Sequence, residues 1–201
     1  MTAPSSWAAF YDAVADRPPH DTVVEALDRF EYEGRVGFAV DLGCGDGRET
    51  VELVRRGWRV LAIDAEPEAI ERLRRRVEPS KVETAVARFE DAVWPDADLV
   101  NAGFSLPFCP PAHFDAVWRR IRGSLVPGGR FSGQLFGDRD GWAGERDVTF
   151  HAPADAERLF DGLELERFEE VEVDGQTAVG DPKHWHLYHV VARRPEESPA
   201  G

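Results

Sequence analysis

The sequence predicts an α/β fold on a mostly parallel sheet, and three observations carry that prediction. Short apolar runs alternate with segments of about ten residues that show helical apolar spacing. A glycine-rich turn, Gly43-Cys44-Gly45-Asp46-Gly47, follows directly on the first of those runs, Phe38-Ala39-Val40-Asp41-Leu42. The last two strand-like runs, 163–173 and 184–193, are joined with no helix between them, so they should pair antiparallel.

Taken in order, Ser6 is placed to cap a first helix bearing Trp7, Phe10, Tyr11 and Val14, which Arg17-Pro18-Pro19 ends. Asp21 caps a second, Thr22 to about Tyr32, with Val23, Val24, Leu27 and Phe30 buried. Strand one is 38–42, the helix after it covers about 47–56, and Gly57 stops that helix. Strand two runs from Arg59 to Asp64, and Pro67 opens a helix to about Val77, with Pro79 closing the connection. Strands three and four are 82–87 and 97–102. A proline-rich loop, Leu106 to Pro111, leads to a helix at about 112–123, then a turn at Pro127-Gly128-Gly129 and strand five to Phe136. A polar loop, 137–148, and a short helix at about 153–161 precede the final pair, whose connection is 174–183. No internal repeat or second domain is visible, so residues 1–201 read as one domain with frayed ends, the tail being 194–201.

Composition excludes several function classes. The 201 residues carry a net charge of −14, which leaves no global field for neutralising phosphates and argues against DNA or bulk RNA as partners. The one basic run, Arg72-Leu73-Arg74-Arg75-Arg76, lies among glutamates and reads as a solvated helix face; Lys81 and Lys183 are the only lysines. Two cysteines, Cys44 and Cys109, do not make a disulfide framework. No apolar run is long enough for a membrane span and no secretory leader is evident, so the expectation is a cytoplasmic protein.

The glycine turn places a helix N-terminus beside a ligand. A dinucleotide site needs a third glycine or alanine where this chain has Arg48, an arginine that would obstruct close helix–strand packing. Asp64, at the end of strand two, is positioned to accept hydrogen bonds from a ribose diol, so turn and acid together read as an adenosine site. A nicotinamide enzyme stays open as a rival at this point.

Asp41-Leu42-Gly43-Cys44-Gly45-Asp46-Gly47 resembles motif I of the class I S-adenosylmethionine-dependent methyltransferases, and Asp64 resembles their acidic motif II. Val126-Pro127-Gly128-Gly129-Arg130 is similar to the family's turn before strand five, and the last two runs to its terminal hairpin. Within that superfamily the chain looks closest to small bacterial enzymes with a minimal fold, the tellurite-resistance-like group among them. The resemblance covers about residues 36–193 and implies a Rossmann-like, seven-stranded sheet of order 3-2-1-4-5-7-6 with strand seven antiparallel. It also implies S-adenosyl-L-methionine as cofactor. On that resemblance Gly43 and Gly45 line its methionine moiety, Asp41 organises the loop, Asp64 holds the ribose, Asp91 and Ala92 read the adenine edge, and Asn101 faces the methyl group. Asn101-Ala102-Gly103-Phe104 does not match the motif of amino-methylating nucleic-acid enzymes.

The carboxyl ends of the parallel strands define the ligand edge. That edge gathers Phe104, His113, Asp138, Arg139, Trp142 and Trp185 as candidate substrate-pocket residues. The N-terminal helices, residues 1–35, have no place in the sheet and are expected to cover the cofactor, with Tyr11 and Arg17 weighed equally between cofactor contact and helix packing. His184 and His186 share one strand face and are the candidate general bases, against a reading as histidines satisfied within the sheet; without a third ligand no metal is expected. The expected function is methyl transfer to a small molecule. A non-catalytic cofactor-binding or regulatory protein and an RNA methyltransferase are the alternatives, and oligomeric state is left open.

Overall fold

The computed structural model describes residues 7–15, 17–145 and 147–196. The Ser6 cap and the tail beyond 196 lie outside them. Two helices, α1 (Trp7–Val14) and α2 (Asp21–Tyr32), precede β1 (Phe38–Leu42), α3 (Arg48–Arg55), β2 (Arg59–Asp64), α4 (Pro67–Arg74), β3 (Val82–Val86) and β4 (Ala97–Ala102). A 3₁₀ turn at Leu106–Phe108 leads to α5 (Pro111–Ser124), β5 (Leu125–Gly137), β6 (Phe150–His151), α6 (Pro153–Arg158), β7 (Glu164–Gln176) and β8 (Pro182–Arg193).

The strands form an eight-stranded sheet of order β3-β2-β1-β4-β5-β8-β7, with β6 beside the end of β5. β1, β2, β3, β4 and β5 are mutually parallel, whereas β8 runs antiparallel to both β5 and β7. This is the expected order once β6 is inserted into the count. At two residues, β6 is too short to show any periodicity in the sequence.

Five boundaries differ from expectation. Asp21 is the first helical residue of α2 and His20 precedes it, with no side-chain cap bond. α4 stops at Arg74 and α6 at Arg158, each shorter than its apolar pattern. β5 begins at Leu125 and carries the Pro127-Gly128-Gly129 turn within it as an irregularity against β4. The terminal hairpin is longer, because pairing continues to Gln176 opposite Pro182.

Central strands buried on both faces read as continuous apolar runs. In β1, Ala39 faces a cluster with Leu27 and Phe30 of α2, Leu53 of α3 and Leu73 of α4, whereas Val40 and Leu42 face Phe114, Trp118 and Ile121 of α5. Helices thus cover both faces. Arg130, at the start of the buried part of β5, is 1% exposed and ties three elements together. Its guanidinium donates to Glu33 after α2 and to Glu166 in β7, and it lies 4.5 Å from the Phe30 ring.

Candidate active site

A cavity of about 520 Å³ opens at the carboxyl ends of β1, β2 and β4, within the range of small-molecule sites. One end is built from the turn after β1. Gly43 adopts φ +68°, and a Cβ there would fall 2.3 Å from Cβ of Ser105. Only glycine fits this strand-to-helix reversal. Gly47, with φ +92°, precedes α3 and packs against Leu73.

Asp64 lies beside that turn. Its carboxylate accepts the Gly45 amide proton at 2.8 Å and the Glu66 amide proton at 2.9 Å. Burial pushes its pKa up, against the pull of these amide donors. Each oxygen keeps a lone pair for a further donor. Tyr11 of α1 covers Gly45, its ring edge 3.3 Å from where a Cβ would stand. Burial first, then the charges of Asp64 and Glu66, push its phenol far above the usual range.

Two further predicted residues act from beneath the surface. Asp41 and Asn101 are buried and do not line the cavity. Asp41 accepts from Thr50 Oγ1 at 2.6 Å and from Asn101 Nδ2 at 2.8 Å, and Asn101 Oδ1 accepts from Ser132 Oγ at 2.8 Å. This chain pins the ends of β1, β4 and β5. Nor does the adenine-edge pair reach the cavity: Asp91 is exposed, Ala92 is buried, and Phe89 and Glu90 stand in the wall instead. The turn after β3 hydrogen-bonds back to Arg88 through the amides of both Asp91 and Ala92, which rotates Asp91 outward.

The other end of the cavity is aromatic. Phe104, Phe108, Phe136, Trp142 and Trp185 line it, joined by Trp7 and Phe10 of α1. Trp7 meets Phe108 edge-on at 5.2 Å, so α1 spans both ends. Phe104 is the one non-glycine residue with positive φ, +50°, among the described residues. Its amide donates to Gln134 Oε1 at 2.9 Å, and Gln134 donates to Thr22 at 2.9 Å. This bracing holds a backbone conformation that costs about 1–3 kcal/mol and turns the ring into the cavity.

Of the predicted site residues, Tyr11, Arg17, Gly43, Gly45, Asp64, Phe104, Trp142 and Trp185 line this one space. His113, Asp138, Arg139, His184 and His186 do not. Trp185 and Leu187 of β8 face the cavity, and alternation turns His184 and His186 to the opposite face of the sheet. There His184 pairs with Asp174 and Glu172, and His186, fully buried, bonds Glu170 at 2.8 Å. Glu170, Glu172 and His186 lie close enough together to hold a metal ion. The cation among them is Arg139, which donates to both glutamates. The expected base pair is therefore corrected: neither histidine can reach a ligand in the cavity.

The sequence reading missed His20. It stacks edge-on against Phe104 at 4.6 Å and lines the cavity. Its Nδ1 lies 3.2 Å from Glu49, and Arg48 reaches the ring at 2.8 Å. Burial first, then the Arg48 cation, lower its pKa to about 3, so the ring is neutral at physiological pH. The same Arg48 nitrogen lies 2.8 Å from both ring nitrogens, so the guanidinium takes up the neutral ring's one acceptor nitrogen. Its position just before α2, at the ligand edge, was the available signal. Arg48, rather than obstructing helix packing, turns its side chain to this cluster.

The cavity suits an adenosyl sulfonium cofactor. A buried carboxylate with free lone pairs, a glycine turn and aromatic walls stand together, and Glu66 beside Asp64 supplies negative charge for a cation, whereas Asp46, Glu49 and Glu90 are each paired with an arginine.

Residues 39–129 match the family model described as "Methyltransferase domain". Carboxy-S-adenosyl-L-methionine synthase of Klebsiella pneumoniae (strain 342) is 31% identical over 120 residues, which cover 55% of this chain and 49% of that protein. The chain thus matches about half the length of these curated relatives. TehB from Haemophilus influenzae superimposes with a TM-score of 0.78 at 18% identity, over 92% of this chain and 65% of that one. The 1,6-didemethyltoxoflavin-N1-methyltransferase of Burkholderia thailandensis, solved with 1,6-didemethyltoxoflavin and S-adenosylhomocysteine, superimposes at 0.65 with 21% identity, over 98% and 92%. Among the described residues no helix is long and apolar enough to cross a membrane.

Proposed function

We propose that this chain is a small class I S-adenosylmethionine-dependent methyltransferase, and that it methylates a planar, largely apolar small molecule whose nucleophile needs no general base. The observation that carries this reading is the continuity of one cavity from Asp64 and the glycine turn to the wall of Phe104, Phe136, Trp142 and Trp185.

When bound, S-adenosylmethionine supplies an electrophilic methyl group on a sulfonium. The chain's contribution is to hold, orient and enclose. Asp64 takes the ribose hydroxyls on its free lone pairs, while Gly43 and Gly45 leave room for the amino-acid moiety. Phe89 and Glu90 flank the base. Asp41 and Asn101 keep the strand ends in register beneath. Trp7, Phe10 and Tyr11 of α1 close over both ligands and exclude water. Aromatic faces near the sulfonium favour its charge, and alignment of acceptor with methyl contributes roughly 7–11 kcal/mol in favourable cases.

The absence of a free base at the acceptor end narrows the chemistry. Arg48 reaches the His20 ring at 2.8 Å and pairs with Glu49 at 2.9 Å, and Asp181 lies on the exposed hairpin loop. A ring nitrogen, a thiolate or a chalcogen anion attacks without losing a proton first, whereas an aliphatic ammonium or alcohol does not. The aromatic wall suits a flat heteroaromatic ring. The Burkholderia neighbour's ligand is consistent with that class.

Methyl-labelled S-adenosylmethionine incubated with a panel of planar heteroaromatics, thiols and aliphatic amines tests the proposal. Label on a planar acceptor, with S-adenosylhomocysteine released, is expected. Label confined to aliphatic amines or tRNA would contradict it.

A further inference from the structure

A buried lysine stands behind the aromatic wall. Lys183 is one of two lysines among 24 basic residues, and its side chain is 1% exposed. Its ammonium lies 4.1 Å from the ring centroids of both Trp142 and Trp185 and 5.3 Å from that of Phe136. It forms an ion pair with Asp140, itself fully buried, and donates to the His184 carbonyl at 3.3 Å. Asp140 in turn accepts from the amides of Trp142 at 3.0 Å and His186 at 3.2 Å. The Gly141 amide donates to the His184 carbonyl at 2.8 Å. The turn after β5 is thereby fastened to β8, and the two indoles, one from each, stand 5.8 Å apart with their planes at 62°.

An apolar side chain at 183 would fill this space without desolvating a charge. Buried ion pairs seldom exceed apolar isosteres in stability, and their best-attested use is to fix one arrangement among several. A cation against two ring faces supplies the orientation preference that apolar packing lacks. The cage is occupied from within, so it is not available to a ligand cation.

We propose that Lys183 is a positioning residue: paired with Asp140, its ammonium holds Trp142 and Trp185 in one orientation and so sets the shape of the aromatic wall that the acceptor meets. The consequence for specificity rests on the reading of the aromatic end as the acceptor site; the holding of the rings does not. None of these groups touches Asp64 or the glycine turn, so cofactor affinity is independent of the clamp.

The test uses the full chain labelled with 5-fluorotryptophan, with S-adenosylhomocysteine as the cofactor probe and the two resonances assigned from Trp142→Phe and Trp185→Phe. In the wild type each residue should give a single narrow fluorine line. Lys183→Met keeps the volume and removes the charge. It should broaden or split both lines while those of Trp58, Trp94 and Trp118, and the affinity for S-adenosylhomocysteine, stay unchanged. Lys183→Ala should behave alike, with propylammonium restoring narrow lines and propanol failing to. Narrow lines in Lys183→Met, equal restoration by propanol, or parallel loss of cofactor affinity would overturn the proposal. If the position-183 variants do not fold, Asp140→Asn decides in the same way: split lines support it and narrow lines overturn it. Failure of every planar acceptor to accept a methyl group would count against the acceptor reading and leave the fluorine result standing.

Discussion

Asp64 at the end of β2 accepts the amide proton of Gly45, across from it in the turn after β1, at 2.8 Å. One carboxylate thus shapes the glycine turn and faces the cavity. Replacing Asp64 with alanine should weaken S-adenosylhomocysteine binding by about 1.5–3 kcal/mol, the range for hydrogen bonds to a charged group. Titration calorimetry reads this directly, and unchanged affinity would remove Asp64 from the site.

Gly43→Ala tests the turn itself. The new Cβ would meet Ser105 at 2.3 Å on a backbone with φ +68°, and Ser105 is held by its bond to the Leu42 carbonyl at 2.5 Å. Left-handed strain of about 1–2 kcal/mol adds to an overpacking cost of about 1–3 kcal/mol. The urea midpoint should fall accordingly, and an unshifted midpoint would contradict the packing described.

The two histidines of β8 should separate stability from function. His186→Ala empties a fully buried site and takes the acceptor from the Arg139 amide, at a cost of about 1–3 kcal/mol in urea unfolding. His184→Ala, at an exposed ion pair, should leave stability nearly unchanged. Neither should alter S-adenosylhomocysteine affinity. A rate loss in His184→Ala without a stability change would restore the base role.

Much of this was legible. β1, β2, β4 and the buried part of β5 are apolar because both faces are covered, and the direct join of β7 to β8 announces an antiparallel pair. Topology alone brings Gly43, Asp64, Phe104 and Trp142 to one edge. The phase of β8 was not legible. Period two puts His184 and His186 on one face and Trp185 on the other, but both faces carry aromatic and charged residues, and a shift of one residue exchanges them. The loop after β3 failed for a similar reason. Whether Glu90 or Asp91 faces inward depends on hydrogen bonds to Arg88 that no spacing encodes. Lys183 announced itself only by its rarity.

Asp41 gives the site a pH signature. Burial first, and the charge of Glu49 second, push its pKa up to about 7, against the donors Thr50 and Asn101. The ordinary aspartate value is 3.8, so between the two the folded protein holds more protons than the unfolded chain. The stability this group contributes is complete below the unfolded value and is lost as pH rises through about 7, over a span worth roughly 4 kcal/mol. Asp41→Asn keeps the bond accepted from Asn101 on its amide oxygen and reverses the other, its NH2 donating to the Thr50 hydroxyl. The wild type should therefore lose stability relative to Asp41→Asn from about pH 4 to about pH 7 in urea unfolding. A difference independent of pH would contradict a buried, partly protonated Asp41.

The central claim is that one cavity aligns the cofactor with an aromatic acceptor wall. A crystal structure of the chain with S-adenosylhomocysteine tests it most directly. The ribose is expected on Asp64 and the sulfur directed past Phe104 toward Trp142 and Trp185. A sulfur facing away from that wall, or a ligand bound elsewhere on the chain, would contradict it.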